Sequence, residues 1–124
     1  MSREIKFRAY LKNEHKVVEV SEFDIEGQWL LYRNQTIEKV YRFKDLELSQ
    51  FTGRKDAVGK DIYEGDIALV HLFDGDEIMT VVWSEEFNGW RYKDDSGNEW
   101  NIDTKTRIIV LGNIYLNSDL LTEV

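Results

Sequence analysis

Apolar and polar residues alternate along much of the chain, which is the pattern of a β-strand with one buried face. The alternating apolar positions near the N-terminus are Ile5, Phe7, Ala9 and Leu11, followed by Val18 and Val20. Aromatic residues make up 13% of the chain, and together with abundant β-branched residues they favour strands. The sequence therefore predicts a mainly β protein with little helix.

The alternating segments and the residues between them predict the positions of the strands. We predict strands at residues 4–11, 15–20, 28–33, 38–43, 46–51, 67–73, 77–84, 90–93, 99–102 and 107–115. Turn-forming residues separate the later strands: Gly75, residues 88–89 and residues 96–98. Closely spaced short strands of this kind suit a compact meander that closes into a small SH3-like barrel.

The length and the pattern together predict the domain organisation. We expect a single compact domain over residues 1–124, in which an N-terminal antiparallel β unit, residues 1–52, packs with an SH3-like barrel, residues 61–115. Polar residues 117–119 precede Leu120 and Leu121 and predict a short final turn of helix.

The connection QFTGRKDAVGKDIYEGDIALV, residues 50–70, combines turn residues and charges before an apolar run. Gly53 and Gly59 flank its charged segment, and glycine takes positive φ most readily at turn corners. Aspartate side chains often accept hydrogen bonds from nearby amides in turns. The aspartates expected to do so here are Asp56 or Asp61, and Asp66.

The net charge of −8 is unevenly distributed. Residues 1–60 hold 12 Lys+Arg against 10 Asp+Glu, whereas residues 61–124 hold 4 against 14. Binding to a phosphate backbone depends on Lys and Arg, so the acidic half is unsuited to it. An acidic surface aids solubility and can attract a basic partner protein electrostatically.

The sequence also limits the compartment. Cysteine is absent, which excludes disulfides and cysteine zinc sites and fits a reducing environment. No apolar run approaches the roughly 20 residues that cross a bilayer. We therefore expect a cytoplasmic protein without a membrane partner.

Motifs for catalysis or cofactor binding are missing from the sequence. Neither G-x-x-x-x-G-K-[ST], G-x-G-x-x-G, H-E-x-x-H nor G-x-S-x-G occurs, so we expect no enzyme and no cofactor. The acidic cluster Asp74, Asp76 and Glu77 suits a hairpin tip better than a metal loop, and we expect no metal site. A hydrolase or metal enzyme would need a concave carboxylate site, for which Glu64 and Asp66 on one strand face are a candidate pair.

Large aromatic residues crowd the acidic half of the chain. Trp83, Trp90 and Trp100 lie near Phe87 and Tyr92 in the sequence. A small barrel does not bury every large ring, so these residues are open to two interpretations, core packing or a partner-facing patch. The predicted contact surface consists of these tryptophans with the turn around residues 63–66. Its candidate partner-binding residues are Tyr63, Glu64, Asp66, Trp83, Trp90 and Trp100.

Three segments together resemble the YopX family of phage and prophage proteins: IKFRAY, LSQFTGRKDAVGKDIYEGDI and VLGNIYLNSDLL. They occur near both ends and in the middle of the chain. The resemblance implies a β fold with an SH3-type barrel in the C-terminal part, and a phage or prophage origin in a bacterial host cytoplasm. It implies no activity and no catalytic residues.

The expected function is that of a non-enzymatic phage-type accessory protein that binds a host or phage protein, with self-association left open. The alternative is a nucleic-acid-binding protein that uses an N-terminal basic strand. Lys6, Arg8 and Lys12 are evenly spaced and would share one strand face. Steep weakening of binding with salt would identify this alternative.

Overall fold

The structure is a computed structural model that describes residues 4–72, 75–102 and 107–121. It is mainly β, as predicted, and its helical segments are two short 3₁₀ turns within the described residues. The chain divides into two compact units, unit one (Met1–Phe51) and unit two (Thr52–Val124). Within the described part of the chain, no helix is long and apolar enough to cross a membrane.

Unit one contains two small antiparallel sheets. Its elements are β1 (Phe7–Leu11), β2 (Lys16–Glu19), β3 (Glu22–Asp24), β4 (Trp29–Arg33), β5 (Glu38–Arg42), a 3₁₀ turn (Phe43–Asp45) and the first part of β6 (Leu46–Lys55). β1 lies between β2 and β6, and β4 lies between β3 and β5. The inward residues of these strands form one core, made by Ala9, Leu11, Val18, Leu30 and Leu46.

Unit two contains the end of β6 and a five-stranded antiparallel sheet. Its further elements are β7 (Asp61–Tyr63), β8 (Asp66–Leu72), β9 (Gly75–Ser84), β10 (Gly89–Lys93), β11 (Glu99–Asn101), β12 (Ile108–Asn113) and a 3₁₀ turn (Ser118–Leu121). The sheet order is β11-β10-β9-β8-β12, so β8 to β11 form the predicted meander and β12 returns to pair with β8. Closure into an SH3-like barrel stays a prediction.

The core of unit two lies on one face of this sheet. Its buried side chains are Ile62, Ala68, Val70, Met79, Val81, Tyr92, Ile108 and Val110. They alternate with residues that face the other way, as expected from a period of two. The predicted strands at residues 67–73, 77–84, 90–93 and 107–115 therefore include those that carry most of this core.

The largest differences between predicted and observed strands are at β3, β6 and β7, and β9 begins at Gly75, which was predicted as a turn residue. β3 and β7 were predicted as connections, because three residues are too few to show a period of two. β6 continues to Lys55 instead of ending at Phe51, and it passes through Gly53 at a φ of +89°. Glycine permits this irregularity inside a strand without side-chain strain. The predicted end of β8 at residue 73 lies outside the described residues.

The charged connection after β6 is organised by Asp56, which is buried. Its Oδ1 accepts hydrogen bonds from the backbone N–H groups of Val58 and Lys60, at 3.0 and 2.8 Å. Gly59 completes this turn at a φ of +88°. The second carboxylate oxygen, Oδ2, accepts a hydrogen bond from the N–H of Val110 at 2.9 Å. The aspartate role predicted for this stretch is confirmed at Asp56.

Candidate partner-binding site

Trp83 and Trp90 lie directly opposite each other on β9 and β10. Their rings meet edge to face, with centroids 4.9 Å apart and an interplanar angle of 76°. This is the arrangement that the charge distribution of aromatic rings favours. The two tryptophans therefore form a defined pair at the hairpin.

The pairing of β10 with β11 brings Trp100 to the same face of the sheet. Tyr92 on β10 lies opposite Trp100 on β11 and opposite Val81 on β9. Residues directly opposite each other share a face, and so do residues two apart on one strand. Tyr92 is 1% exposed, whereas Trp83 is 43% and Trp100 42% exposed. One face of the sheet therefore carries both the buried Tyr92 and the exposed tryptophans. We call Trp83, Trp90 and Trp100 the aromatic patch.

The reverse side of β10 holds these strands in place through Arg91. Its guanidinium lies over the Phe87 ring, 4.0 Å from the centroid. The same group forms an ion pair with Glu99 at 3.4 Å and donates a hydrogen bond to the Asn101 side chain. These contacts connect β10 to β11 and to the preceding hairpin. They fix the strand positions that carry the aromatic patch.

Acidic residues flank the tryptophans of the aromatic patch along the chain. Glu85 and Glu86 are exposed in the hairpin between Trp83 and Trp90. Burial raises the pKa of Asp94, but hydrogen bonds from Asn98, Ser96 and Trp100 outweigh it, and the pKa of Asp94 lies below 3.8. Asp94 is therefore ionised at neutral pH beside an exposed tryptophan.

The acidity belongs to unit two as a whole. Residues 52–124 contain 7 Lys+Arg and 15 Asp+Glu, while residues 1–51 contain 9 of each. The aromatic patch thus lies on the acidic unit, and the first unit carries no net charge. A basic partner would be attracted to unit two and its exposed rings.

The turn around residues 63–66 is enclosed within unit two and does not extend the patch. Tyr63 is 5% and Asp66 1% exposed. Asp66 Oδ2 accepts a hydrogen bond from the N–H of Tyr63 at 2.7 Å, while Gly65 donates its N–H to the carbonyl of Val81 at 2.8 Å. Glu64, which lies between Tyr63 and Asp66 in the chain, is half-buried. Tyr63 and Asp66 therefore stabilise the entry to β8, and a partner protein would not reach their side chains.

The structure places one of the three predicted N-terminal basic residues within a strand. Only Arg8 lies within β1, which spans Phe7–Leu11; Lys6 precedes the strand and Lys12 follows it. Lys6 lies 3.7 Å from the Glu4 carboxylate and 4.6 Å from the Phe51 ring centroid. Lys12 lies 3.7 Å from the Glu47 carboxylate. These intramolecular contacts compete with any phosphate for both lysines.

The acidic hairpin between β8 and β9 is partly described. Asp74 lies outside the described residues. His71 Nδ1 lies within hydrogen-bond distance of Asp76 Oδ1, at 2.6 Å, and both side chains are exposed. The predicted strand position of His71 is confirmed, since it belongs to β8 and alternates with buried Val70.

Comparisons with known proteins give a family and a fold. A family model described as "YopX protein" matches residues 6–122, nearly the whole chain. The crystal structure of protein EF1440 from Enterococcus faecalis is similar, with a TM-score of 0.66 and 22% sequence identity, and the match covers 97% of this chain and 99% of that chain. At this identity the likeness concerns the fold. No curated protein sequence matches the chain significantly.

Proposed function

This chain belongs to the YopX protein family, and on that premise we propose that it is a non-enzymatic accessory protein that binds a basic protein through the aromatic patch. The observation that carries the proposal is the exposure of Trp83 and Trp100 on the same sheet face as the buried core. Exposed tryptophans on a fixed scaffold are typical of binding hot spots. The family resemblance also supports a phage or prophage origin and action in the bacterial cytoplasm.

The charge around the patch supports a basic partner. Glu85 and Glu86 are exposed between the paired tryptophans, and Asp94 is ionised beside Trp100. Lysine and arginine side chains can contact both the acids and the faces of the indole rings. A partner segment rich in Lys or Arg fits this combination better than an apolar one.

A binding role is also favoured over catalysis by the state of the candidate carboxylate pair. Asp66 is buried and its Oδ2 already accepts the Tyr63 N–H, so Glu64 and Asp66 do not offer two accessible carboxylates. Acid/base catalysis requires a group within hydrogen-bond reach of the substrate. The hydrogen bond of Asp66 at this turn stabilises the fold.

The proposal is tested by affinity capture of the tagged protein from a bacterial lysate treated with nuclease. Trp100→Ala and Trp83→Ala should each weaken capture of a basic protein by about 30-fold, the effect of losing a tryptophan hot spot. Leu111→Ala is the matched control, because Leu111 is 42% exposed, like Trp100, but lies on β12 at the other edge of the sheet. Full capture by both folded tryptophan variants would overturn the proposal.

The same capture distinguishes the nucleic-acid alternative. Material lost after nuclease treatment, with an affinity that falls steeply with salt, would favour binding through Lys6, Arg8 and Lys12. Two observations disfavour this alternative: the charges of unit one balance, and Lys6 and Lys12 contact acids of their own unit.

A further inference from the structure

β5 forms an open edge of the sheet β3-β4-β5 in the part of the chain that the structure describes. Glu38, Lys39, Val40 and Arg42 are exposed on it, and Val40 is 63% exposed. An edge strand presents backbone N–H and C=O groups that can pair with another strand. β5 is therefore a candidate surface for strand pairing.

The hydrogen bonds to β4 determine which residues of β5 face outward. Phe43 donates its N–H to the carbonyl of Gln28 at 2.9 Å, and Asn34 donates to the carbonyl of Ile37 at 3.0 Å. Bonded pairs recur every second residue in an antiparallel ladder, so residues 39 and 41 also bond to β4. The residues that direct their backbone groups away from β4 are Glu38, Val40 and Arg42.

We propose that β5 pairs antiparallel with β5 of a second copy of this chain, about a two-fold axis at Val40. This register matches all three outward-directed residues of one copy with those of the other. It opposes Glu38 of one copy with Arg42 of the second copy, and the two-fold axis repeats this pair. The two three-stranded sheets become one six-stranded sheet.

The charges of β5 are complementary in this register. Arg42 makes no ion pair with any residue in the described ranges, while Glu38 Oε2 lies 3.2 Å from Arg33 Nε. Arg33 also approaches Glu22, at 3.7 Å. The Arg42 guanidinium of the second copy would extend this row of alternating charges across the junction. Opposite charges directly across a strand pair stabilise it.

An apolar contact accompanies the charge pairs. Trp29, Val40 and Arg42 share one face of the sheet and line a shallow depression of about 370 Å³. The two copies of Val40 would lie next to each other on this face, at the two-fold axis. Pairing would therefore cover the most exposed apolar residue of β5.

A second edge strand of unit one, β2, does not allow the same arrangement. β2 also ends in opposite charges, Lys16 and Glu19. However, Val20 donates its N–H to the carbonyl of Phe7. Because bonded residues alternate along the ladder, the backbone groups of Lys16 point towards β1 and those of Glu19 point outward. A register that places Lys16 of one copy opposite Glu19 of the other would pair an inward-directed residue with an outward-directed one, so the backbone hydrogen bonds would not form. Charge complementarity and backbone direction agree at β5 alone of these two edges.

The test is sedimentation equilibrium of the full chain from micromolar to millimolar concentration. A five-residue strand pair is a small interface, so we expect weak, reversible dimers. Glu38→Arg and Arg42→Glu each place like charges across the junction and should weaken dimerisation by about tenfold or more. An equimolar mixture of the two variants should restore dimers, because every cross-strand pair in the mixed dimer then joins opposite charges.

Two further variants keep the result interpretable. Val40→Pro removes an outward-directed N–H but no bond to β4, so it should abolish dimers while the fold persists. Glu26→Arg reverses an exposed charge in the β3–β4 turn and should leave dimers unchanged. Thermal unfolding confirms that each variant is folded. A monomer at all concentrations, dimers that survive Val40→Pro, or a mixture that fails to restore them would overturn the proposal.

Discussion

Asp56 and Val110 lie 54 residues apart in the chain and are joined by a hydrogen bond of 2.9 Å from the Val110 N–H to the Asp56 carboxylate. The other carboxylate oxygen organises the turn in which Asp56 itself lies. One buried side chain thus closes a local turn and attaches it to β12. Its hydrogen bonds therefore determine the conformation of the turn between β6 and β7.

Replacing Asp56 by alanine should destabilise the protein strongly. Three backbone N–H groups, those of Val58, Lys60 and Val110, would lose a charged acceptor at a buried site. We expect the free energy of unfolding to fall by about 3 kcal/mol, from charged hydrogen bonds of this kind. Urea denaturation monitored by tryptophan fluorescence measures the change.

Asp94→Ala is the matched control for this loss. Asp94 accepts hydrogen bonds from the N–H groups of Ser96 and Asn98 in a turn of similar form, but this turn is at the surface. Water can replace those bonds, so the destabilisation should be clearly smaller. Equal losses for the two variants would show that the bond to Val110 contributes little.

Acid should remove the stabilisation that Asp56 provides. Burial raises the pKa of Asp56, but hydrogen bonds from Val110, Lys60 and Val58 outweigh it and lower the pKa below 3.8. With a folded pKa below the unfolded one, the stabilisation is present above pH 3.8 and is lost as the pH falls through the folded pKa. Wild type and Asp56→Asn should therefore differ most in unfolding free energy at neutral pH and converge in acid. A constant difference would contradict this assignment.

Gly112→Ala should disturb the end of β12. An added Cβ would lie 2.6 Å from Asn117 Cγ, so the Asn117 side chain would have to move. That side chain accepts a hydrogen bond from the N–H of Asn113, and its loss should cost about 1 to 2 kcal/mol. Gly89→Ala is the control, because its Cβ would meet nothing closer than 3.8 Å. Differential scanning calorimetry should show a lower melting temperature for the first variant alone.

Alkali should weaken unit one through Tyr41. Burial, with a further contribution from the Glu14 carboxylate, raises the pKa of Tyr41 to about 12 from 10.0. The unfolded chain loses this proton first, so the stabilisation is complete below pH 10.0 and is lost as the pH rises to about 12. Urea denaturation of wild type and Tyr41→Phe over this range should show wild type losing more stability. Parallel pH profiles would refute the assignment.

The sequence predicted those parts of the fold that leave a local signal. The core strands β8 to β10 were found because apolar or alternating segments lie between turn-forming residues. β3 and β7 were missed because three residues carry no period, and the extension of β6 was missed because Gly53 resembles a turn. Strand pairs with distant partners, such as β8 with β12, leave no local signal.

The candidate site was predicted in part for the same reason. The hairpin signal at residues 88–89 places Trp83 and Trp90 near each other, and their pairing follows from local register. Tyr63 and Asp66 flank a turn glycine and so resemble exposed turn residues. They are buried because the Gly65 N–H bonds to Val81 on β9, a contact that depends on tertiary structure.

The pairing of β8 with β12 has a consequence for synthesis on the ribosome. β8 emerges early in unit two, but its second neighbour, β12, follows the whole meander. Until β12 leaves the ribosome, one edge of β8 lacks its partner strand, and the Asp56 carboxylate lacks its Val110 donor. Such non-local pairing slows folding and exposes intermediates to aggregation. Formation of the five-stranded sheet therefore awaits β12, and ribosomal pausing before Ile108 would prolong the exposure of this edge of β8.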